Sequence, residues 1–133
     1  MNQHEIRKIA LQGIYLANQH PDWDETTIAT SLATSLNLPQ FPDYAQELLQ
    51  DFLANRGALD DALAAKLKRG WQLRRISQID GGILELALTE IKYSQAIGPV
   101  GAVDEALRLC DEFSDPKNKG FINGVLANFV SAK

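Results

Sequence analysis

Residues 77–93 read Ser77-Gln78-Ile79-Asp80-Gly81-Gly82-Ile83-Leu84-Glu85-Leu86-Ala87-Leu88-Thr89-Glu90-Ile91-Lys92-Tyr93. Ile79, Ile83, Leu84, Leu86, Ala87, Leu88 and Ile91 cover far more of a helical circumference than the one-sided stripe of a surface helix. Gln78, Gly81, Gly82, Glu85, Thr89 and Lys92 are left as a narrow polar strip. Ser77 followed three residues later by Asp80 reads as a capping box, with hydroxyl to backbone N–H and carboxylate reaching back. Gly81 and Gly82 each cost about 1 kcal/mol of helix propensity against Ala, a cost that is tolerable where another backbone packs close. A helix apolar nearly all round must be surrounded, so it belongs at the centre of an all-helical domain.

Helical spacing recurs on both sides of this stretch. Residues 3–18 carry Ile6, Ile9, Ala10, Gly13, Ile14 and Ala17 on one stripe, with Arg7, Lys8 and Gln12 assigned to the other side. His20-Pro21-Asp22 ends that helix. Asp24 or Thr26 caps a second helix over about 25–36, and the two prolines of Leu38-Pro39-Gln40-Phe41-Pro42 impose an extended break. A third helix, about 43–56, presents Tyr44, Leu48, Leu49, Phe52 and Leu53, and Gly57 is expected to stop it. A fourth, about 59–69, carries Leu59, Leu63 and Leu67, and Trp71 in the connector beyond it is expected to plug the core. After the central helix, residues 101–113 offer Val103, Ala106, Leu107, Cys110 and Phe113. Residues 118–131 show Phe121, Ile122, Val125, Leu126, Phe129 and Val130 on one face. No alternating strand pattern, internal repeat or low-complexity stretch interrupts the series. The expectation is a single compact bundle of about seven helices, with residues 1–133 as one domain.

The chain has 133 residues, enough to bury one sizeable core. No run approaches the roughly 18 apolar residues of a membrane span, and the N-terminus lacks the basic-then-apolar pattern of a signal peptide. One cysteine, Cys110, excludes a disulfide framework and fits a reducing cytoplasm; its apolar setting reads as a buried structural thiol. The net charge of −4 is unevenly spread. Residues 66–75 hold Lys66, Lys68, Arg69, Arg74 and Arg75 and no acid, and residues 117–133 hold Lys117, Lys119 and Lys133 and no acid. Such segregation can build separate acidic and basic faces, and a local basic field attracts phosphate; solvated helix surface is the alternative.

Catalytic patterns are missing. Gly81-Gly82 and Gly120…Gly124 lie within helices and lack the Lys-Ser/Thr of a phosphate loop. His4 and His20 form no metal-ligand spacing with each other or with Cys110. Asp60-Asp61, Asp104-Glu105 and Asp111-Glu112 are adjacent in sequence, so their side chains diverge by about 100° on a helix, which suits solvated surface better than an acid–base couple. No enzyme activity, cofactor or metal is expected.

The residues do resemble a known family. Leu67-Lys68-Arg69-Gly70-Trp71-Gln72-Leu73-Arg74-Arg75-Ile76, with Asp80 through Ile91, resembles the "W-x-L-x-R-[IL] … D-x-x-[IL]-L-R-[LI]-A-x-x-E-[IL]" run of the NusB transcription antitermination proteins. Val103-Asp104-Glu105-Ala106-Leu107-Arg108-Leu109 resembles their "I-N-E-A-[VI]-x-[IL]" segment. Lys119-Gly120-Phe121-Ile122-Asn123-Gly124-Val125-Leu126 is similar to their "K-F-[VI]-N-G-[VI]-L" signature, and Ala10-Leu11-Gln12-Gly13-Ile14-Tyr15 to "A-x-Q-x-L-Y". The matches keep the family's order from about residue 6 to 130.

The resemblance implies an all-helical RNA-binding factor that pairs with NusE, a ribosomal small-subunit protein. Together they grip the boxA element of nascent ribosomal RNA leaders. Within the RNA polymerase elongation complex, with other Nus factors, they promote elongation past terminators in the cytoplasm. Carried onto this chain, Arg7, Lys8, Lys117 and Lys119 are expected at phosphates, which position rather than read the RNA. Tyr15 and Phe121 either stack on unpaired bases or pack in the core. Gln12 belongs to the same expected surface, and Asn123 either meets a base edge or pins a neighbouring helix start. Asp80 and Glu105 are expected at the partner, a role for Asp80 compatible with capping.

The chain departs from the family pattern in four places. Asn2-Gln3-His4-Glu5 replaces an Arg-rich arm, Glu85 replaces an Arg, Gly101 replaces a Val beside a displaced Pro99, and Gly120 replaces the Lys before Phe121. The thinned arm implies weaker RNA affinity without the partner. It also keeps open a protein–protein interaction module of the same fold with little RNA binding. The RNA-binding accessory domain of ribosomal RNA cytosine methyltransferases has this fold too, but ending at Lys133 the sequence carries no catalytic domain. The sequence leaves homodimer formation open.

Overall fold

A computed structural model describes residues 1–67 and 76–130, and among these there is no strand. Seven α-helices follow in order: α1 Gln3–Gln19, α2 Glu25–Ser35, α3 Asp43–Ala54, α4 Arg56–Ala64, α5 Gln78–Tyr93, α6 Pro99–Phe113 and α7 Lys119–Leu126. Short 3₁₀ turns at Pro116–Asn118 and Ala127–Phe129 flank α7. Lys68, Arg69, Arg74, Arg75, Lys133 and the expected core plug Trp71 lie outside the described residues.

The central placement of α5 holds. It packs against α1, α3, α4, α6 and α7, and residues 82–90 are buried without interruption. Ile83, Leu84 and Leu88 are wholly inaccessible and meet Ile14, Phe52, Leu59, Leu63, Cys110 and Ile122 in one core. The polar strip expected on α5 is not a solvent face: Gly82, Glu85 and Thr89 are all buried. Thr89 satisfies its hydroxyl by donating to the Glu85 carbonyl at 2.7 Å, the usual local solution for a buried threonine in a helix. The glycines of α5 are not explained by a second backbone. Among the described residues, a Cβ on Gly82 would meet the Leu11 side chain at 3.3 Å, and one on Gly81 would meet nothing within 4 Å.

Helix ends follow local chemistry, with several shifts from expectation, among them α4, which runs Arg56–Ala64 rather than about 59–69. Asn2, Asp24 and Ser77 cap α1, α2 and α5 by accepting from the backbone N–H three residues on. The chain leaves α2 through Asn37 at φ 53°, a left-handed conformation that asparagine tolerates. Gly57 does not terminate α3; that helix ends at Ala54 and Gly57 sits in the first turn of α4. Pro99 takes the first turn of α6, where its missing N–H costs nothing. The last helix expected over 118–131 is divided, with α7 closing at Leu126 before the 3₁₀ turn. Cys110 is a free, fully buried thiol. Among the described residues no helix is long and apolar enough to cross a membrane.

Candidate nucleic-acid interface

The C-terminal end of α6 gathers three of the expected lysines from three elements. Lys8 reaches from α1 to Glu112 (3.3 Å) and lies over the Phe113 ring at 5.7 Å. Lys117, in the 3₁₀ turn, pairs with Asp115 at 3.4 Å and is 80% exposed. Lys119, at the start of α7, pairs with Asp111 at 3.1 Å. Phe113 itself is exposed, with Lys8 over its ring. The charge here is interleaved rather than segregated: residues 111, 112 and 115 supply one acid to each lysine. Glu112 and Asp115 are both held below the usual carboxylate range. Glu112 owes this first to its hydrogen bond with His4, and Asp115 to the Lys117 backbone N–H.

Arg7 is a correction. It was expected on the polar side of α1, facing phosphate, but it is buried at 4% exposure. Its Nε donates to both oxygens of Glu90, at 3.0 and 2.8 Å. Its guanidinium stands 5.7 Å over the Tyr44 ring and 3.6 Å from Glu105. Tyr44 donates to Glu90 at 2.7 Å and shares a 2.7 Å hydrogen bond with Ser94. Burial, above all, pushes its phenol up to about 12. A charge buried this deeply must be paired, and Glu90 does that.

Both acids expected at the partner are engaged inside the protein. Asp80 is 4% exposed; one carboxylate oxygen accepts from Ser114 Oγ at 2.6 Å and the other from Asn118 Nδ2 at 2.9 Å. Ser77 does accept from the Asp80 backbone N–H at 3.1 Å, but the carboxylate is committed to Ser114 and Asn118 rather than reaching back. Glu105 accepts from His4 Nδ1 and from Arg108, each at 2.9 Å. Burial alone would raise its carboxyl; those hydrogen bonds and the Arg108 and Arg7 charges bring it below the usual range. His4 also bonds Glu112 through Nε2.

The remaining expected residues are dispersed. Tyr15 is half-buried and accepts from Gln19 at 2.9 Å, and Gln12 is half-buried on the same helix. Phe121 packs partly against the core. Asn123 is exposed in a groove of about 310 Å³ shared with Val100, Val103, Asp104, Ala127 and Val130, none of them part of the lysine cluster.

Two features escaped sequence reading. His4 joins the first turn of α1 to two carboxylates of α6; nothing local announces partners more than a hundred residues away. Glu85 and Asp60 line a cavity of about 480 Å³ with Asn18, Ser77, Gln78 and Gly81. Glu85 accepts from Asn18 at 2.8 Å, while Asp60 Oδ1 is buried with no hydrogen-bond partner among the described residues. Burial, and then the neighbouring Asp60 carboxyl, raise Glu85 to about 8. Among the described residues no group of three or more His, Cys, Asp or Glu side chains is placed to hold a metal.

The model of the NusB family matches residues 4–131. The chain is 35% identical to the transcription antitermination protein NusB of Lacticaseibacillus casei strain BL23, covering 98% of this chain and 96% of that one. It is 38% identical to that of Latilactobacillus sakei subsp. sakei, covering 98% and 97%. Among solved structures, T. maritima NusB superposes with a TM-score of 0.81 at 20% identity, covering 97% of this chain and 90% of that chain. A chain from the crystal structure of antitermination factors NusB and NusE in complex with dsRNA superposes at 0.84 with 18% identity and complete coverage of both. These two likenesses bear out the all-helical NusB fold.

Proposed function

Because the chain belongs to the NusB family, we propose that it is a transcription antitermination factor that binds the boxA RNA of nascent ribosomal RNA leaders together with NusE. It acts in the cytoplasm, on the RNA polymerase elongation complex with other Nus factors, and as a binding protein rather than an enzyme. The relatives' name supports the antitermination role, and the NusB–NusE–dsRNA crystal structure supports RNA and NusE as partners.

The observation that carries this reading is that Lys8, Lys117 and Lys119 each pair with an acid at or just beyond the end of α6, with Lys8 over exposed Phe113. Three flexible ammonium groups near the end of α6 can follow a phosphate backbone as point charges, and partly exposed Tyr15 offers an aromatic ring to an unpaired base, with Phe121 the second aromatic proposed for that role. Gln12 and Asn123, outside the lysine cluster, are the hydrogen-bonding groups proposed for base edges. Arg7 supports this surface from beneath, through Glu90 and Glu105, without meeting RNA.

A second reading, an interaction module with little RNA binding of its own, draws on the same cluster: each lysine already faces an acid and Arg7 is withdrawn. Binding of a short boxA RNA and of a scrambled RNA, with and without NusE, separates the two. The antitermination reading predicts weak binding alone and clear strengthening with NusE for boxA only. Equal affinity for both RNAs in both conditions favours the module.

A further inference from the structure

We propose that Asp80 is a positioning residue for the lysine-bearing turn between α6 and α7, acting on RNA affinity without touching RNA. The inference rests on the RNA-binding reading above.

Ser114 is the residue at which α6 ends, and Asn118 the one from which α7 begins. Asp80, in the first turn of α5, joins them: Ser114 Oγ donates to Oδ1 at 2.6 Å and Asn118 Nδ2 to Oδ2 at 2.9 Å. One carboxylate of the central helix therefore fixes both ends of the reversal that carries Lys117 and leads into Lys119. A carboxylate only accepts, and hydrogen bonds to it are charge-assisted and short, so the two donors are held in one arrangement.

The turn also has contacts of its own. Asp115 accepts from the Lys117 backbone N–H at 3.0 Å, the Asn118 N–H donates to the Asp115 carbonyl at 2.8 Å, and the Cys110 thiol donates to the same carbonyl at 3.5 Å. These are contacts within the turn or from α6. Asp80 provides the tie from α5 to both Ser114 and Asn118, and at 4% exposure it cannot itself reach a ligand. Without it, Lys117 and Lys119 would be offered to phosphate from a turn of variable geometry. The ordering cost would then fall on binding.

Three variants test this: Asp80→Ala, Asn118→Asp and the exchange Asp80→Asn with Asn118→Asp. Asn118→Asp sets two carboxylates against each other, whereas the exchange restores a donor–acceptor pair of reversed polarity and the wild-type net charge. With far-UV circular dichroism showing the helices intact, each single variant is expected to bind boxA RNA about tenfold more weakly. The exchange should recover to within about threefold of wild type. In the Asp80→Ala background, removing Lys119 should cost little further, because the lysine is no longer presented. A general loss of stability would instead leave the Lys119 loss additive.

Wild-type affinity in both single variants, an exchange no better than Asn118→Asp, or a fully additive Lys119 loss would overturn the proposal. Unchanged binding after removal of Lys117 and Lys119 from the wild-type chain would overturn the RNA-binding reading, and the role of Asp80 with it. Faster amide exchange at residues 114–119 in Asp80→Ala would then mark the anchor as structural only.

Discussion

Arg7 and Glu90 are 83 positions apart in sequence, yet the Arg7 Nε lies 3.0 and 2.8 Å from the two Glu90 oxygens, with both side chains at most 5% exposed. This pair locks α1 to α5 from within the bundle, and Tyr44 of α3 closes over it.

The first prediction follows from that burial. Arg7→Met leaves the Glu90 charge buried with only a tyrosine hydroxyl beside it, and breaking such a pair costs about 3–5 kcal/mol. Urea denaturation measures the loss. A loss below about 1 kcal/mol would show that Glu90 finds another partner, such as water, in the variant. Where the variant remains folded, the salt dependence of RNA binding should be unaltered.

Glu85 gives the stability a pH dependence of known sign. Its folded-state value of about 8 lies above its ordinary 4.5, chiefly through burial and then the Asp60 carboxyl. The native state therefore holds the proton more tightly than the unfolded chain. The stability contribution of this group falls as pH rises from about 4.5 to 8, by up to about 1.4 kcal/mol per pH unit, and the penalty is complete above that window. Glu85→Gln keeps an acceptor for Asn18 and removes the charge. Its melting temperature should match wild type near pH 4.5 and exceed it increasingly toward pH 8. A constant difference across that range would show that Glu85 is ionised throughout.

Asp111 is 47% exposed and its salt bridge is to Lys119. The pair contributes about 0–1 kcal/mol to stability, so Asp111→Asn should barely move the melting temperature. It frees the lysine for phosphate, and RNA affinity at low salt should rise about two- to fivefold, the gain shrinking as salt is added. Affinity that stays level or drops at low salt would place Lys119 away from the RNA.

The fold was legible because its signal is periodic. Ile83 through Leu88, and Ile122, Val125 and Leu126, announce buried faces by spacing alone. Boundaries were less so: Gly57 has the composition of a stop but begins a helix, because only one residue separates α3 from α4. The polar residues were hardest. Arg7 lies seven positions before Ile14 and three before Ala10, both fully buried, so its place on the inner face was readable; its partner Glu90 was not. Asp80, Glu85 and His4 were likewise decided by Ser114, Asp60 and Glu112, residues remote in sequence, and spacing carries no record of such pairings. Lys117 and Lys119 stand out in a basic run without acids, and with Lys8 they were placed at phosphates through family resemblance; how their acidic neighbours pair with them came only from the structure.

The most direct measurement is the salt dependence of boxA RNA binding, in the presence of NusE, for the wild-type chain and for Lys8→Ala/Lys117→Ala/Lys119→Ala. If these three side chains meet phosphates of an unpaired strand, the slope of log affinity against log salt should be shallower in the variant by about 2, roughly 0.7 for each contact removed. A variant that binds with the wild-type affinity and slope would contradict the assignment of this face to RNA.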